Sequence, residues 1–255
     1  MPQSSPSWGT YLINLDRASN RLADMAARLG ALGIAFERIS AVDGTRITPD
    51  ASEFSPLSYA LMHGRRPIPA EIGCYLSHIA CAKAFLASDQ NFALILEDDV
   101  QFSADFTSAI EAAMALPDSW DILRLSTVNR GKKYPFKKVD ETYSLAVALT
   151  REKGAGAYMI NRKAAHWLVT KMLPMRISYD IAFDVEYLYG LKAAFLEPLP
   201  ADQRTGYETQ IQNNIPGYKY PKYRYLTVLP YRTYLELTRF FLRGYRLLHN
   251  RLRYR

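Results

Sequence analysis

The chain predicts an α/β domain built on a parallel sheet, and three observations carry that prediction. The first is a βαβ beginning. An apolar strand at residues 10–15 leads to a helix with Leu22, Met25, Ala26 and Leu29 at helical spacing, and a second short strand follows at residues 36–39. The second is Phe92-Ala93-Leu94-Ile95-Leu96, a short, bounded aliphatic run that reads as a buried strand of a parallel sheet. The third is the alternation that continues down the chain. Helices at residues 69–86 and 162–171 are interspersed with strands at 120–125, 145–149 and 195–200. At 255 residues and 49% apolar content, one such domain with elaborations has enough material for a core.

The opening strand ends in Asp16-Arg17, and Ser19 or Asn20 is placed to cap the helix that follows. Gly30 and Gly33 mark its end, and Asp43-Gly44 makes a turn after the second strand. This beginning is that of nucleotide-binding α/β domains. It has neither G-x-G-x-x-G nor a P-loop, which argues against a classical dinucleotide site and against an ATPase. Arg17 and Arg21, four apart, share the first helix turn; they meet either phosphate or uracil, or they form a solvated face. Residues 45–70, with four prolines, read as an irregular surface excursion.

The helix at residues 69–86 is rich in small and apolar residues and is expected to be buried. His78 lies inside it, either as a hydrogen-bonded core residue or as part of a site formed with the acids that follow. Cys74 and Cys81 sit seven apart, about 10 Å along a helix axis, too far for a disulfide. They read as reduced thiols, which points to a cytosolic protein. Residues 1–9 lack a basic region followed by an apolar one, so no secretory signal is expected, and no apolar run is long enough to span a membrane.

The aliphatic strand runs straight into Glu97-Asp98-Asp99. Adjacent carboxylates repel, and alternation along a strand sends Glu97 and Asp99 one way and Asp98 the other. Two carboxylates on one side, at the C-terminal end of a buried strand, suit a hard divalent cation held against a diphosphate. The alternative is that the three acids cap the next helix or lie in solvent.

Taken together, several blocks resemble glycosyltransferase family 25. They are Tyr11-Leu12-Ile13-Asn14-Leu15-Asp16-Arg17 with Arg21, Ala41-Val42-Asp43-Gly44, Glu71-Ile72-Gly73-Cys74 with Ser77-His78, and Ile95-Leu96-Glu97-Asp98-Asp99-Val100. The likeness continues through residues 154–160 and Tyr179-Asp180-Ile181-Ala182-Phe183-Asp184, and covers roughly residues 11–203. It implies a GT-A-like, Rossmann-type single domain. It also implies an inverting, metal-assisted transferase that moves a sugar, most often galactose from UDP-galactose and less often glucose from UDP-glucose, onto a lipooligosaccharide or related glycan. Glu97 and Asp99 would hold Mn2+ or Mg2+. The resemblance places Asn14, Leu15, Arg17, Arg21, Asp43, His78, Asp98 and Gln203 around the UDP-sugar.

Inversion needs one base opposite the leaving group. The segment 178–191 reads as one helix, with Asp180 and Asp184 on a shared face; Asp184 or Asp180 is the candidate base, with Glu186 behind them. The other role for Asp180 is capping the helix N-terminus. Gly154 and Gly156 permit close backbone approach or make a turn, and Tyr158 is placed to stack on a sugar or base. Residues 131–138 read as a basic loop that grips an acceptor or is solvated. Two other classes stay open: a non-catalytic glycan-binding or scaffolding member of the fold, and nucleotidyl transfer. The second would want a Gly-rich loop and a lysine near the first strand, which the chain lacks.

The charge of +7 is unevenly spread. Residues 217–255 hold ten Lys/Arg and one Glu, a charge of +9, so residues 1–216 carry −2. The expected division is therefore a glycosyltransferase domain at 1–216 and a basic, aromatic, helical tail at 217–255. In the tail, Tyr234, Leu237, Phe241, Tyr245, Leu248 and Leu252 form one stripe, with Arg232, Arg239, Arg243, Arg246 and Arg253 opposite. That pattern suits a helix at 231–255 lying on an anionic membrane, near a lipid-linked acceptor, on the cytoplasmic face. The other arrangement packs the apolar stripe on the body and leaves the arginines in solvent. No nucleic-acid-binding motif is present.

Overall fold

The chain begins with β1 (Trp8–Asn14), α1 (Ser19–Ala31), β2 (Glu37–Ser40), α2 (Pro56–His63), α3 (Pro69–Ala87), β3 (Phe92–Glu97), β4 (Gln101–Phe102) and α4 (Phe106–Met114). It continues with β5 (Ile122–Arg124), β6 (Lys133–Lys138), β7 (Ser144–Ala148), β8 (Ala157–Asn161), α5 (Arg162–Lys171), α6 (Tyr179–Ala182), β9 (Ala193–Glu197), β10 (Ala201–Asp202), α7 (Ile215–Tyr218) and α8 (Tyr225–Arg253). These elements come from a computed structural model that describes residues 7–129, 131–203 and 215–253.

One eight-stranded sheet has the order β2-β1-β3-β8-β5-β9-β7-β6. Strands β2, β1 and β3 pair in parallel, as do β5 and β9. The α/β class is as expected, but the sheet is mixed: β8 runs antiparallel to both of its neighbours, β3 and β5. Its reversal brings the residues before β8 to the edge where β3 ends, and the Glu97 N–H donates to the Gly156 carbonyl at 2.8 Å. Both faces of the sheet are covered. On β3, Ala93 and Ile95 join the layer under α3 and α5, while Phe92, Leu94 and Leu96 join the layer with α4 and Met25 and Leu29 of α1. This two-sided burial explains why the strand is continuously apolar.

The glycines of two sequence blocks have a shared cause. A Cβ on Gly44 would lie 1.8 Å from the Pro69 carbonyl oxygen, and one on Gly73 would lie 2.2 Å from that of Val42. The turn after β2 therefore presses directly on the first turns of α3. The Val42 N–H donates to Ser77 Oγ at 2.9 Å across the same contact.

Three elements differ from the sequence reading. Residues 133–138 form the edge strand β6 rather than a loop, with Phe136 buried; Pro135 is tolerated because an edge strand has an unpaired side. The excursion at 45–70 contains α2, which starts on Pro56 and stops at Gly64 with φ +72°. The segment expected as one helix at 178–191 is α6 followed by a 3-10 turn, Phe183–Tyr189.

The C-terminal helix packs on the body through the side opposite its apolar stripe, which corrects the expected arrangement with the stripe on the body and the arginines in solvent. Its arginine face packs inward: Arg239 and Arg243 are buried, with Leu235 and Leu247 beside them. Arg243 donates to both oxygens of Glu186 at 2.8 Å and to Asp184 Oδ1 at 2.9 Å. Arg239 Nε lies 3.0 Å from Asp184 Oδ2, and Arg124 from β5 lies 3.3 Å from Oδ1. Burial opposes the charge of Arg243, but Asp184 and Glu186 outweigh it and hold its pKa above the ordinary value. The stripe of Tyr234, Leu237, Phe241, Tyr245, Leu248 and Leu252 faces solvent.

Candidate active site

Strand β3 delivers the three acids to one end of the sheet. Glu97 and Asp99 line a cleft of ≈ 570 Å³, while Asp98 turns to the β1 side. The small sheet of β4 and β10 forms immediately beyond β3 and β9, and brings Gln203 to Glu97, where its Nε2 donates to Oε2 at 3.0 Å. Gly156 makes room for this, because a Cβ there would meet Gln203 at 2.1 Å.

These groups fit a hard cation. Asp99 Oδ1 and Gln203 Oε1 are buried and have no hydrogen-bond partner among the described residues. Burial first, then the charges of Glu97 and Asp98, push the Asp99 carboxyl up to about 7, against the opposing pull of Arg21. A divalent ion would relieve that crowding, and the donors are carboxylate and amide oxygens. Cys74 Sγ, His78 and Glu97 also lie within 4.8 Å of one another, but both His78 ring nitrogens are already engaged.

His78 is fully buried. Its Nε2 lies 3.2 Å from Glu97 Oε1, its Nδ1 lies 3.0 Å from the Tyr158 hydroxyl, and its ring stacks on Tyr179 at 4.0 Å. Its place is therefore behind Glu97, fixing that carboxylate. Tyr158 is also fully buried and its hydroxyl continues to Tyr179 at 2.9 Å. It is enclosed and has no free face for a sugar or base, which corrects the stacking role expected of it.

The β1 end supplies a second group of residues. Asn14 Nδ2 donates to Asp98 Oδ2 at 2.7 Å. Arg21 pairs with Asp98 and lies 3.3 Å from Asp99, and Arg17 pairs with Asp43. The Leu15 carbonyl accepts the Ala18 N–H at the start of α1. Neither arginine is simply solvated, and Arg21 ties this group to the acids. Hydrogen bonds from Thr45 and the charge of Arg17 hold the Asp43 carboxyl below its usual range.

Asp180 and Asp184 are separated by the structure. Asp180 lines the cleft; its Oδ1 accepts the Ser178 hydroxyl at 2.7 Å and the Ile181 N–H at 3.0 Å. Its capping role and its position in the cleft therefore coexist. Asp184 and Glu186 do not line the cleft but are enclosed with Arg124, Arg239 and Arg243. Winding tightens from α to 3-10 after Ala182, and Asp184 lies off the cleft face that Asp180 keeps. Both buried acids are thereby corrected from candidate bases to anchors of α8.

The cleft also has a basic side absent from the sequence reading. Arg65, Arg151, Lys153, Lys219, Arg224 and Arg232 line it, from the α2–α3 link, the β7–β8 loop, the segment between α7 and α8, and the start of α8. They are scattered over nearly 170 positions with no motif spacing, so only the fold assembles them.

The family model described as "Glycosyltransferase family 25 (LPS biosynthesis protein)" matches residues 8–183. A "Glycosyltransferase 25 family member" of Aedes aegypti is 34% identical over 124 residues, covering 44% of this chain and 20% of that protein. "Procollagen galactosyltransferase 2" of Homo sapiens is 28% identical over 214 residues, covering 74% of this chain and 34% of that protein. The chain thus spans a fifth to a third of the length of these relatives. Among solved structures, a glycosyltransferase involved in glycosylation of the major capsid of PBCV-1 superposes with a TM-score of 0.43 at 11% identity, covering 80% of this chain and 95% of that one.

Proposed function

The chain belongs to glycosyltransferase family 25, and from that membership we propose that it is an inverting transferase moving galactose from UDP-galactose onto a glycan. The observation that carries this is the convergence of Glu97, Asp99 and Gln203 at one end of β3 with Asp180 lining the same cleft. Relatives named as galactosyltransferases support the choice of sugar, with UDP-glucose as the second donor.

Mn2+ or Mg2+, held by Glu97 and Asp99, would act as a Lewis acid on the diphosphate leaving group. Arg21 holds Asp98 away from the cleft and tempers the charge on Asp99. His78, braced by Tyr158 and Tyr179, fixes the rotamer of Glu97. Asn14, Arg17 and Asp43 line the nucleotide side at the end of β1. Asp180 Oδ2 has no partner among the described residues and takes the proton of the acceptor hydroxyl. A non-catalytic member would be expected to lose part of this set, and every member of it is present.

The acceptor we propose is lipid-linked, met at a membrane surface. No helix among the described residues is long and apolar enough to cross a membrane. The exposed stripe of α8 would lie on the lipid, and the first turns of the same helix line the cleft through Tyr225, Val228 and Arg232. The face we propose is the cytoplasmic one, where UDP-sugars are made available. The test of the base is Asp180→Asn, which should keep UDP binding and lower turnover roughly a hundredfold or more. Normal turnover would remove Asp180 from that role.

A further inference from the structure

The cations of the cleft fall into two groups on opposite sides of the carboxylates. On the β1 side, Arg17 and Arg21 are already paired with Asp43, Asp98 and Asp99, and neither lines the cleft. On the far side, Arg65 is paired with Glu71. Arg151, Lys153, Lys219 and Arg232 form no ion pair among the described residues. Like charges held together in a cleft are unfavourable unless something negative joins them, and among the described residues only Arg65 of this side has a carboxylate of its own.

His63 supplies the independent observation. It is 9% exposed, it lines the cleft, and neither ring nitrogen has a hydrogen-bond partner among the described residues. A buried polar group left unpaired is costly and rare. Burial first, then Arg65, Arg232 and Arg151, press its pKa down to about 3, so the ring is neutral and carries one N–H to donate. Burial, then Arg151 and Arg224, lower the pKa of Arg232 in the same way. Five groups from separate segments therefore line one side of the cleft: Arg65 is held by Glu71 and Arg224 by the Tyr220 carbonyl and Tyr225 hydroxyl, while His63, Arg151 and Arg232 have no acceptor among the described residues.

We infer that His63, Arg65, Arg151, Arg224 and Arg232 form an anion site for a phosphate group carried by the acceptor. The inference rests on the proposed transferase function, because it assigns the far side of the cleft to the acceptor. The donor diphosphate belongs with Glu97, Asp99 and the β1 end. The far-side cations are contributed by the α2–α3 link, the β7–β8 loop, the segment before α8 and the first turns of α8, none of which carries a nucleotide-side residue. A phosphate there would give His63 a partner and separate the arginines with bidentate hydrogen bonds. It would also select phosphorylated over neutral glycans.

The experiment uses the full chain with saturating UDP and diamagnetic Mg2+, titrated with inorganic phosphate. The His63 imidazole resonance, assigned with His63→Gln, reports binding. The expected result is a saturating shift with UDP still bound. Arg151→Ala and Arg232→Ala, neither of them buried in the core, should each weaken phosphate roughly tenfold or more while UDP affinity stays as in the wild type. Three outcomes would overturn the inference: displacement of phosphate by UDP, which would give the cations to the donor; unchanged phosphate affinity in both variants; or no shift of His63 at any phosphate concentration. Failure of UDP itself to bind the wild type would instead strike the proposed function, and is read separately in the same titration.

Discussion

Removing Arg243 should unfold the protein well before it affects the chemistry. The guanidinium holds both oxygens of Glu186 at 2.8 Å and Asp184 Oδ1 at 2.9 Å, and it also donates to the Ala148 carbonyl at 3.3 Å. In Arg243→Met the side-chain volume is roughly kept, but Glu186 loses its cation while still 1% exposed. Breaking one side of a buried ion pair costs about 3–5 kcal/mol, because the remaining charge is left unpaired. For a chain of this size each kcal/mol lowers the melting temperature by about 2–4 °C, so a fall of roughly 6–20 °C is expected. Calorimetry or circular dichroism reads it directly. Asp184→Asn should melt early too, since Arg124, Arg239 and Arg243 would then share too little negative charge. A melting temperature within about 2 °C of wild type for both variants would refute the cage. A thermally normal Asp184→Asn with lost turnover would return Asp184 to the chemistry.

Other outcomes follow from the same geometry. Asp99→Asn and Glu97→Gln should each weaken Mn2+ binding, measured by electron paramagnetic resonance, with the larger loss at Asp99; equal binding in all three proteins would contradict the ligand assignment. The Asp99 carboxyl is raised from its ordinary 3.8 to about 7 in the fold, so the folded state holds a proton that the unfolded chain releases. Its contribution to stability is therefore full below 3.8 and is lost as the pH rises through about 7, and Mn2+ binding should release a proton and weaken as the pH falls below about 7. Metal affinity independent of pH between 5 and 8 would count against this. On α8, Phe241→Ser with Leu248→Ser should abolish co-sedimentation with anionic vesicles at unchanged melting temperature, because both side chains are exposed. Arg239 and Arg243 are buried, so high salt should weaken vesicle binding less than the charge of the tail suggests; binding lost in salt but kept in the double variant would refute the apolar-face reading.

The parts of the fold that were legible in the sequence are those fixed by local pattern. Aliphatic runs bounded by turns marked β1 and β3; Glu97 and Asp99 do share the cleft without Asp98, although β3 ends at Glu97 and the turn beyond it, not strand alternation, orients the two aspartates. The antiparallel β8 was not legible, because its apolar pattern is the same in either direction. Nor was the orientation of α8. Its two faces are plain in the sequence, but amphipathicity alone does not say that the charged face is the buried one. That depends on Asp184 and Glu186, more than 50 residues away, being presented by a 3-10 turn that periodicity cannot distinguish from a helix. Tyr158 misled for a related reason: its strand was evident, but burial on both faces follows from the sheet order. The far-side cations and His63 had no local signature at all.

The central claim is that the acids at the end of β3 serve transfer from a UDP-sugar. The direct measurement is UDP release from a panel of UDP-sugars in the presence of an acceptor glycan, with Mn2+ and with excess EDTA, for wild type and Asp99→Asn. The account predicts release from one donor, UDP-galactose foremost, that depends on Mn2+ and is lost in Asp99→Asn while the melting temperature holds. Full release in EDTA, or full release by Asp99→Asn, would contradict it.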